Sequence, residues 1–178
     1  PLYHEGNIAE KIVRNMGRLD YPADKLDIKL LLEADDDETR GALEKAGIPA
    51  CCEVVTIPEA PPKTKPRACN FGLARAKGEF CVIYDAEDAP EPDQLKKALV
   101  VFRRDREEQV LCVQGKLNYF NARHNLLTRL FTVEYSTYFD LTLPGYQLFN
   151  LPLPLGGTSN HFRTRILREI GGWDPFNV

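Results

Sequence analysis

Two short apolar runs each open directly into acid. Residues 28–32 read IKLLL and lead into EADDDET; residues 80–84 read FCVIY and lead into DAEDAPEPDQL. Runs of this length, bounded by turn residues, read as strands buried on both faces, and such strands belong in a sheet covered by helices on either side. The flanking segments supply the helices. In residues 7–18, Ile8, Ile12, Val13 and Met16 share one face behind a Gly6 or Asn7 cap, and residues 37–46 form a helix closed by Gly47 ahead of Pro49. Residues 53–57 are a second strand, and Pro58, Pro61, Pro62 and Pro66 leave the following link too poor in donors for regular structure. Residues 68–76 form a helix stopped by Gly78. Residues 93–104 form another, with Leu95, Ala98, Leu99 and Phe102 inward, and residues 110–113 are a fourth strand. This β-α-β-α order predicts an α/β fold with a mostly parallel central sheet flanked by helices. The rhythm then breaks. Residues 126–141 predict one longer helix. The prolines and glycines of LPGYQLFNLPLPLGGTSN exclude a regular helix after it, and residues 164–170 predict a short helix with Thr164 as cap and Gly171 as stop.

The 178 residues suffice for one domain, and a net charge of -3 provides no basic footprint, so nucleic acid is excluded as a partner. The five cysteines show no CxxC spacing and read as a reducing-compartment set. No apolar run approaches a membrane span. The chain starts at Pro1 and stops at Val178 in mid-phrase, and we read it as a piece of something longer.

In an open α/β sheet, ligands sit beyond the carboxyl ends of the strands, and both acidic clusters fall there. Asp85 and Glu87, one residue apart after a strand, can both reach one divalent cation, Mg2+ or Mn2+, that neutralises a diphosphate; Asp88 can bind that ion directly, through water, or not at all. The bland alternative is a solvated loop with Asp93 capping a helix. Asp37 and Glu38 are explained by a helix dipole, whereas Asp35 and Asp36 lie nearer the strand end, where a carboxylate can accept a base N–H. Lys65, Arg67 and Asn70 read either as a solvated basic link or as a clamp on a nucleotide before the helix starts. His4 and His161 read as structural. Neither GxGxxG nor GxxxxGK[ST] is present, which excludes a dinucleotide fold and a P-loop.

The pieces then assemble. PLYHEGN, LLLEADDDET, KPRACNFGLARAKGEFCVIYDAEDAPEPDQL and LGGTSNHFRTRILREIGGWDPF resemble, in order, the P-x-Y-x-E opening, the nucleotide aspartates, the K-x-x-x-x-N helix with the D-x-D motif, and the acceptor-side G-G-[WF]-D stretch of family 2 glycosyltransferases. The resemblance runs from residue 1 to residue 178 and is nearest to the membrane-bound, cellulose-synthase-like branch. It implies the GT-A fold, with residues 1–115 as the nucleotide half and residues 116–178 as an incomplete acceptor half. It implies inverting, metal-dependent transfer from a nucleotide sugar, UDP-linked, to a saccharide or other hydroxyl acceptor at the cytoplasmic face of a membrane. Carried over by motif, Pro1, Tyr3 and Glu5 line the nucleoside pocket and Asp35 or Asp36 contacts the base. Lys65, Arg67 and Asn70 border the nucleotide, Asp85 and Glu87 hold the metal, and Gly157, Thr158, Ser159, Trp173 and Asp174 face the acceptor. Glutamate in place of the second aspartate of D-x-D departs from the commoner pattern. The general base of T/S-E-D and the Q-x-x-R-W motif are expected beyond Val178, together with membrane helices of the parent, so the fragment alone is expected to be inactive. The aromatic stretch 131–149 reads as core packing in its helical part, or else as a surface for a membrane or an acceptor channel. A non-catalytic nucleotide-sugar-binding or assembly module is the rival reading. A nucleotidyltransferase is disfavoured by the lack of a glycine-rich basic N-terminal loop.

Overall fold

The computed structural model describes residues 1–177. β1 (Ile28–Glu33) lies parallel to β2 (Cys52–Ile57), with Leu30 opposite Val54 and Glu33 opposite Ile57. Side chains alternate faces along a strand, and β1 uses both. Leu30 and Leu32 pack with Leu2, with Ile12 of α1 (Ala9–Gly17) and with Leu43 of α2 (Asp37–Ala46). Leu31 faces the other way, into a cluster with Val55, Ile57 and Ala68 of α3 (Lys65–Arg75). Gly72 permits the close approach of α3, since a Cβ there would lie 2.9 Å from a Leu31 methyl. The apolar run is therefore covered on both sides, as its composition demands.

Helix α3 starts three residues before the sequence predicts. The Thr64 hydroxyl accepts the Arg67 N–H at 3.4 Å, and Pro66 occupies the first turn, where no helical hydrogen bond is lost. Lys65 and Arg67 are therefore first-turn helix residues, not part of an extended clamp ahead of it.

The second sheet is antiparallel. β3 (Phe80–Ile83) and β4 (Cys112–Gln114) flank β5 (Asn160–Arg163), which runs against both. Parallel pairing is thus confined, among the described residues, to β1 with β2 and to a bridge from Leu2 to Leu32. The sequence predicts no element at residues 160–163: four residues, NHFR, carry neither the length nor the apolar character that identifies a strand. α4 (Gln94–Arg104) buries Ala98 and Phe102, and Phe102 stacks on Phe80 at 4.5 Å between centroids. A cavity of about 550 Å³ separates β1 from β3, walled by Leu31, Leu73, Phe80, Val82 and Ala98.

The expected helix over residues 126–141 is α5 (Leu126–Thr137) followed by a π-helical turn, Tyr138–Thr142, and then by α6 (Leu143–Leu148). Helical structure thus continues into LPGYQL, where the sequence predicts none. Pro144 lies in the first turn of α6, and the π turn before it shifts the hydrogen-bond register so that the missing N–H is tolerated. α5 buries none of its residues; of the aromatic stretch 131–149, expected to pack in the core in its helical part or else to form a surface, Phe139 is buried against Tyr135 and Tyr138, whereas Phe131 and Phe149 are exposed. α7 (Thr164–Glu169) begins behind Arg163, so Thr164 is its first residue and not its cap; it ends at Glu169, with Ile170 as C-cap and Gly171, φ 90°, just beyond. No helix among the described residues is long and apolar enough to cross a membrane.

Candidate functional site

Both acidic clusters lie at strand ends, but their carboxylates have separate tasks. Asp36 is buried, 1% exposed, and caps α2: its Oδ1 accepts the Thr39 N–H at 3.0 Å and its Oδ2 accepts the His4 N–H at 2.6 Å. Burial opposes its charge, yet the hydrogen bonds from Thr39 and His4 outweigh it and hold the carboxyl below the usual range. Asp36 has no free edge for a base. Asp35, one residue earlier, is exposed and takes the Lys63 ammonium at 2.5 Å, and that contact lowers its pKa. Of the two, Asp35 is the one whose carboxylate is exposed. Lys63 also lies over the Tyr3 ring, 5.6 Å from its centroid, so Tyr3, Asp35 and Lys63 form one exposed group beside the end of β1. Glu5 holds the same corner by donating its N–H to Thr39 Oγ1 at 2.9 Å. Nothing in the spacing of these residues announces Lys63, because its partners come from distant loops.

The basic residues of α3 also divide. Arg67 is turned inward, with Nη1 3.5 Å from Glu33 Oε2, Nη2 donating to the Pro58 carbonyl, and the guanidinium over the Phe71 ring. Asn70 is engaged in a reciprocal pair, donating to the Trp173 carbonyl at 2.7 Å and accepting the Trp173 N–H at 3.0 Å. Gly172 makes that pair possible, since its φ of 75° and the adjacent Asn70 leave no place for a Cβ. Both side chains are engaged within the chain, Arg67 with Glu33 and the Pro58 carbonyl and Asn70 with the Trp173 backbone. Lys65 alone reaches out. Its ammonium joins Asp85 Oδ1 and donates to the Gly157 carbonyl at 2.6 Å, so it bridges α3, the loop after β3 and the approach to β5.

The loop after β3 is braced from several sides. Lys11 donates to the Glu87 carbonyl at 3.0 Å and Asn15 to the Asp88 carbonyl at 2.8 Å, both from α1. Asp88 Oδ2 accepts the Asp85 N–H at 2.7 Å and the Thr158 hydroxyl. Burial raises the Asp88 pKa, against the pull of the Thr158 hydrogen bond. Glu87 is exposed. The donor set suits a hard cation that keeps water and phosphate ligands. Asp85 already carries a positive group, the Lys65 ammonium, and among the described residues no three His, Cys, Asp or Glu side chains close a cage of their own.

Of the residues expected on the acceptor side, Thr158 and Ser159 are buried, and Ser159 adopts φ 56°, rare for a residue with a side chain. Its N–H binds the Ile83 carbonyl at 2.8 Å and its carbonyl receives the Gly115 N–H at 2.8 Å, which ties the ends of β3 and β4 to the start of β5. The Trp173 ring meets Phe162 edge-on at 6.0 Å, and exposed Asp174 accepts the Phe176 N–H at 2.9 Å. Pro1 borders the cavity between β1 and β3. The apolar walls of that cavity suit no diphosphate. His161, as predicted, is structural: Nδ1 lies 3.0 Å from the Val113 carbonyl and burial favours the neutral ring.

Comparison with known proteins gives the family and the fold. The family described as Glycosyltransferase like family 2 matches residues 1–178. A probable glycosyltransferase of Bacillus subtilis (strain 168), YdaM, is 27% identical over 176 residues, covering 98% of this chain and 41% of that protein. The mannosyltransferase PcManGT from Pyrobaculum calidifontis, solved with GDP-Man and Mn2+, superimposes with a TM-score of 0.70 at 22% identity, over 99% of this chain and 46% of that one. TarS 1-349 of S. aureus, solved with UDP-GlcNAc, gives 0.66 at 19% identity, over 98% and 47%. The fold is that of GT-A glycosyltransferases, and the chain spans less than half the length of these relatives.

Proposed function

The chain belongs to the glycosyltransferase-like family 2, and from that premise we propose that it is the nucleotide-sugar-binding part of an enzyme that moves a glycosyl group from a nucleoside diphosphate to an acceptor hydroxyl, with inversion. The observation that carries this reading is the Lys65 ammonium lodged between Asp85 and the Gly157 carbonyl: positive charge is already favoured where the metal loop meets the acceptor-side loop. Asp85 and Glu87 hold Mg2+ or Mn2+, which when bound stabilises the negative charge that grows on the departing diphosphate. Lys65 exchanges Asp85 for a phosphate oxygen when the nucleotide arrives, staying charge-paired throughout. Asp35 accepts a base N–H and the Tyr3 ring flanks the nucleoside, with Pro1 and Glu5 shaping the same corner. Gly157, Ser159, Trp173 and Asp174 face the acceptor, and the general base lies outside residues 1–178. PcManGT and TarS are solved with GDP-Man and UDP-GlcNAc respectively, which supports a nucleotide sugar as donor; uridine is our assignment by resemblance. The exposed leucines of α5 and of residues 148–155 are the surface that meets the rest of the longer protein or the cytoplasmic face of a membrane.

Titration calorimetry with UDP, with and without Mn2+, tests the reading. Binding that strengthens at least tenfold with Mn2+ in the wild type and loses that gain in Asp85→Ala is expected. Absence of nucleotide binding in both conditions would instead favour an assembly module.

A further inference from the structure

The motif carry-over leaves Asp88 without a fixed role and places Thr158 only on the acceptor side; the loop geometry brings the two together across 70 residues of sequence. The Asp88 carboxylate is drawn into the loop. Its Oδ2 accepts the Asp85 N–H at 2.7 Å while the Asp88 N–H donates to the Asp85 carbonyl at 3.1 Å, closing a ring around residues 85–88. The same oxygen accepts the Thr158 hydroxyl, and Thr158 Oγ1 lies 3.3 Å from both the Asp85 nitrogen and the Ile83 carbonyl oxygen. No Lys, Arg or His among the described residues pairs with Asp88, so its charge is satisfied by these donors. Thr158 is 9% exposed and next to Ser159, whose left-handed backbone anchors the segment to β3 and β4.

We propose that Asp88 and Thr158 are positioning residues: their hydrogen bond fixes the Asp85 backbone, and so the aim of the Asp85 carboxylate, to the acceptor-side loop. This deepens the reading above and rests on it for the identity of the ligand, but not for the hydrogen bond itself. One consequence is that the loop carrying Asp85 and the loop carrying Gly157 shift together, because a single oxygen of Asp88 joins them.

Thr158→Val removes the hydroxyl at nearly constant volume, and Thr158→Ser restores it. Two readouts are taken on the same chain: amide hydrogen exchange at Asp85, and Mn2+ affinity in the presence of UDP. In Thr158→Val, exchange at Asp85 should rise about tenfold and Mn2+ affinity should fall about tenfold, the effect of one lost hydrogen bond to a charged group. Thr158→Ser should return both to within about twofold of wild type. Unchanged Asp85 exchange in Thr158→Val overturns the proposal, and so does raised exchange with unchanged Mn2+ affinity, which would make the contact a packing tie only. If Thr158→Val fails to fold, Asp88→Asn takes its place: the amide keeps an acceptor for one donor but loses the charge, and unaltered exchange at Asp85 again overturns it. A wild-type chain that binds no Mn2+ with UDP defeats the transferase reading, while the exchange readout still decides the positioning of Asp85.

Discussion

α2 and α5 begin alike and end up in opposite surroundings. Asp36 caps α2 by accepting the Thr39 N–H at 3.0 Å; Asn125 caps α5 by accepting the Thr128 N–H at 2.9 Å, with Thr128 returning the bond to form a capping box. Past the first turn they diverge. Thr39 and Leu43 of α2 are fully buried, and Leu43 meets Leu30 and Leu32 of the central strand. α5 buries nothing, and Leu126, Leu127, Leu130 and Val133 are 58% to 72% exposed. A cap tells where a helix starts, and only the sheet beside it tells whether its apolar face is covered. In this chain the covered half is also the half that carries the candidate chemistry.

If that division is correct, the largest effect of any substitution discussed here falls on the covered side. On the proposed reading, Asp85→Ala in the longer protein should lower the transfer rate by about 10³-fold or more, since the charge on the leaving diphosphate would lose its metal-side stabilisation. Single-turnover rates with a nucleotide sugar measure this. Turnover within threefold of wild type would remove Asp85 from the site and erase the functional side of the contrast.

Stability should follow the same line. Leu43→Ala empties a fully buried position against β1 and should cost about 2–5 kcal/mol in urea unfolding. A loss under 1 kcal/mol would mean that α2 is no better anchored than α5.

The caps offer a finer comparison. Asp36→Ala should cost about 2 kcal/mol, the upper end for a cap, because the His4 N–H loses its acceptor as well. The contribution depends on pH. The folded-state pKa of Asp36 is depressed, so its stabilisation is present above the unfolded value of about 3.9 and is lost as pH falls through the lower folded value. Unfolding curves from pH 7 to pH 3 should converge for wild type and Asp36→Ala at the acid end; parallel curves would show that the charge of Asp36 does not matter.

What the sequence made legible follows from where the signal resides. β1, β2, α2 and α4 were readable because a doubly covered strand and a helix packed on it leave periodic apolar marks. β5 left none, because the hydrogen bonds of NHFR to β3 and β4 come from the backbone and can be made by almost any residue. The site divides in the same way. Asp85 and Lys65 were visible as residue types in a motif, and the structure brings them together. Arg67 and Asn70 matched the motif equally well, yet point to Glu33 and Trp173. The difference lies in the helical phase of α3, whose Thr64 cap starts the helix at Lys65, three residues upstream of where it was expected. Lys63 was not singled out, and Asp88 was read only as an optional metal ligand, because their partners Tyr3, Asp35 and Thr158 lie 28 or more residues away in sequence.

The smallest expected effect is also the one that best tests the exposed half. Leu130, 58% exposed on α5, should change stability by no more than about 0.5 kcal/mol when replaced by Ala. α5 is held by its capping box, by its continuation toward α6, by Tyr119 against Phe131 and Tyr135, and by the Asn118–Ser136 hydrogen bond, and none of these involves the Leu130 side chain. The same substitution should nevertheless weaken whatever covers that face, because contiguous exposed apolar surface of this kind marks a contact. Co-sedimentation with vesicles containing anionic lipid should detect the wild-type chain and lose a measurable part of it in Leu127→Ser/Leu130→Ser. If Leu130→Ala instead costs more than 1 kcal/mol, the α5 face packs within the chain after all, and the contrast with α2 fails. If stability is unchanged and vesicle binding is absent in the wild type, the face is covered by protein, since the chain spans less than half the length of its relatives.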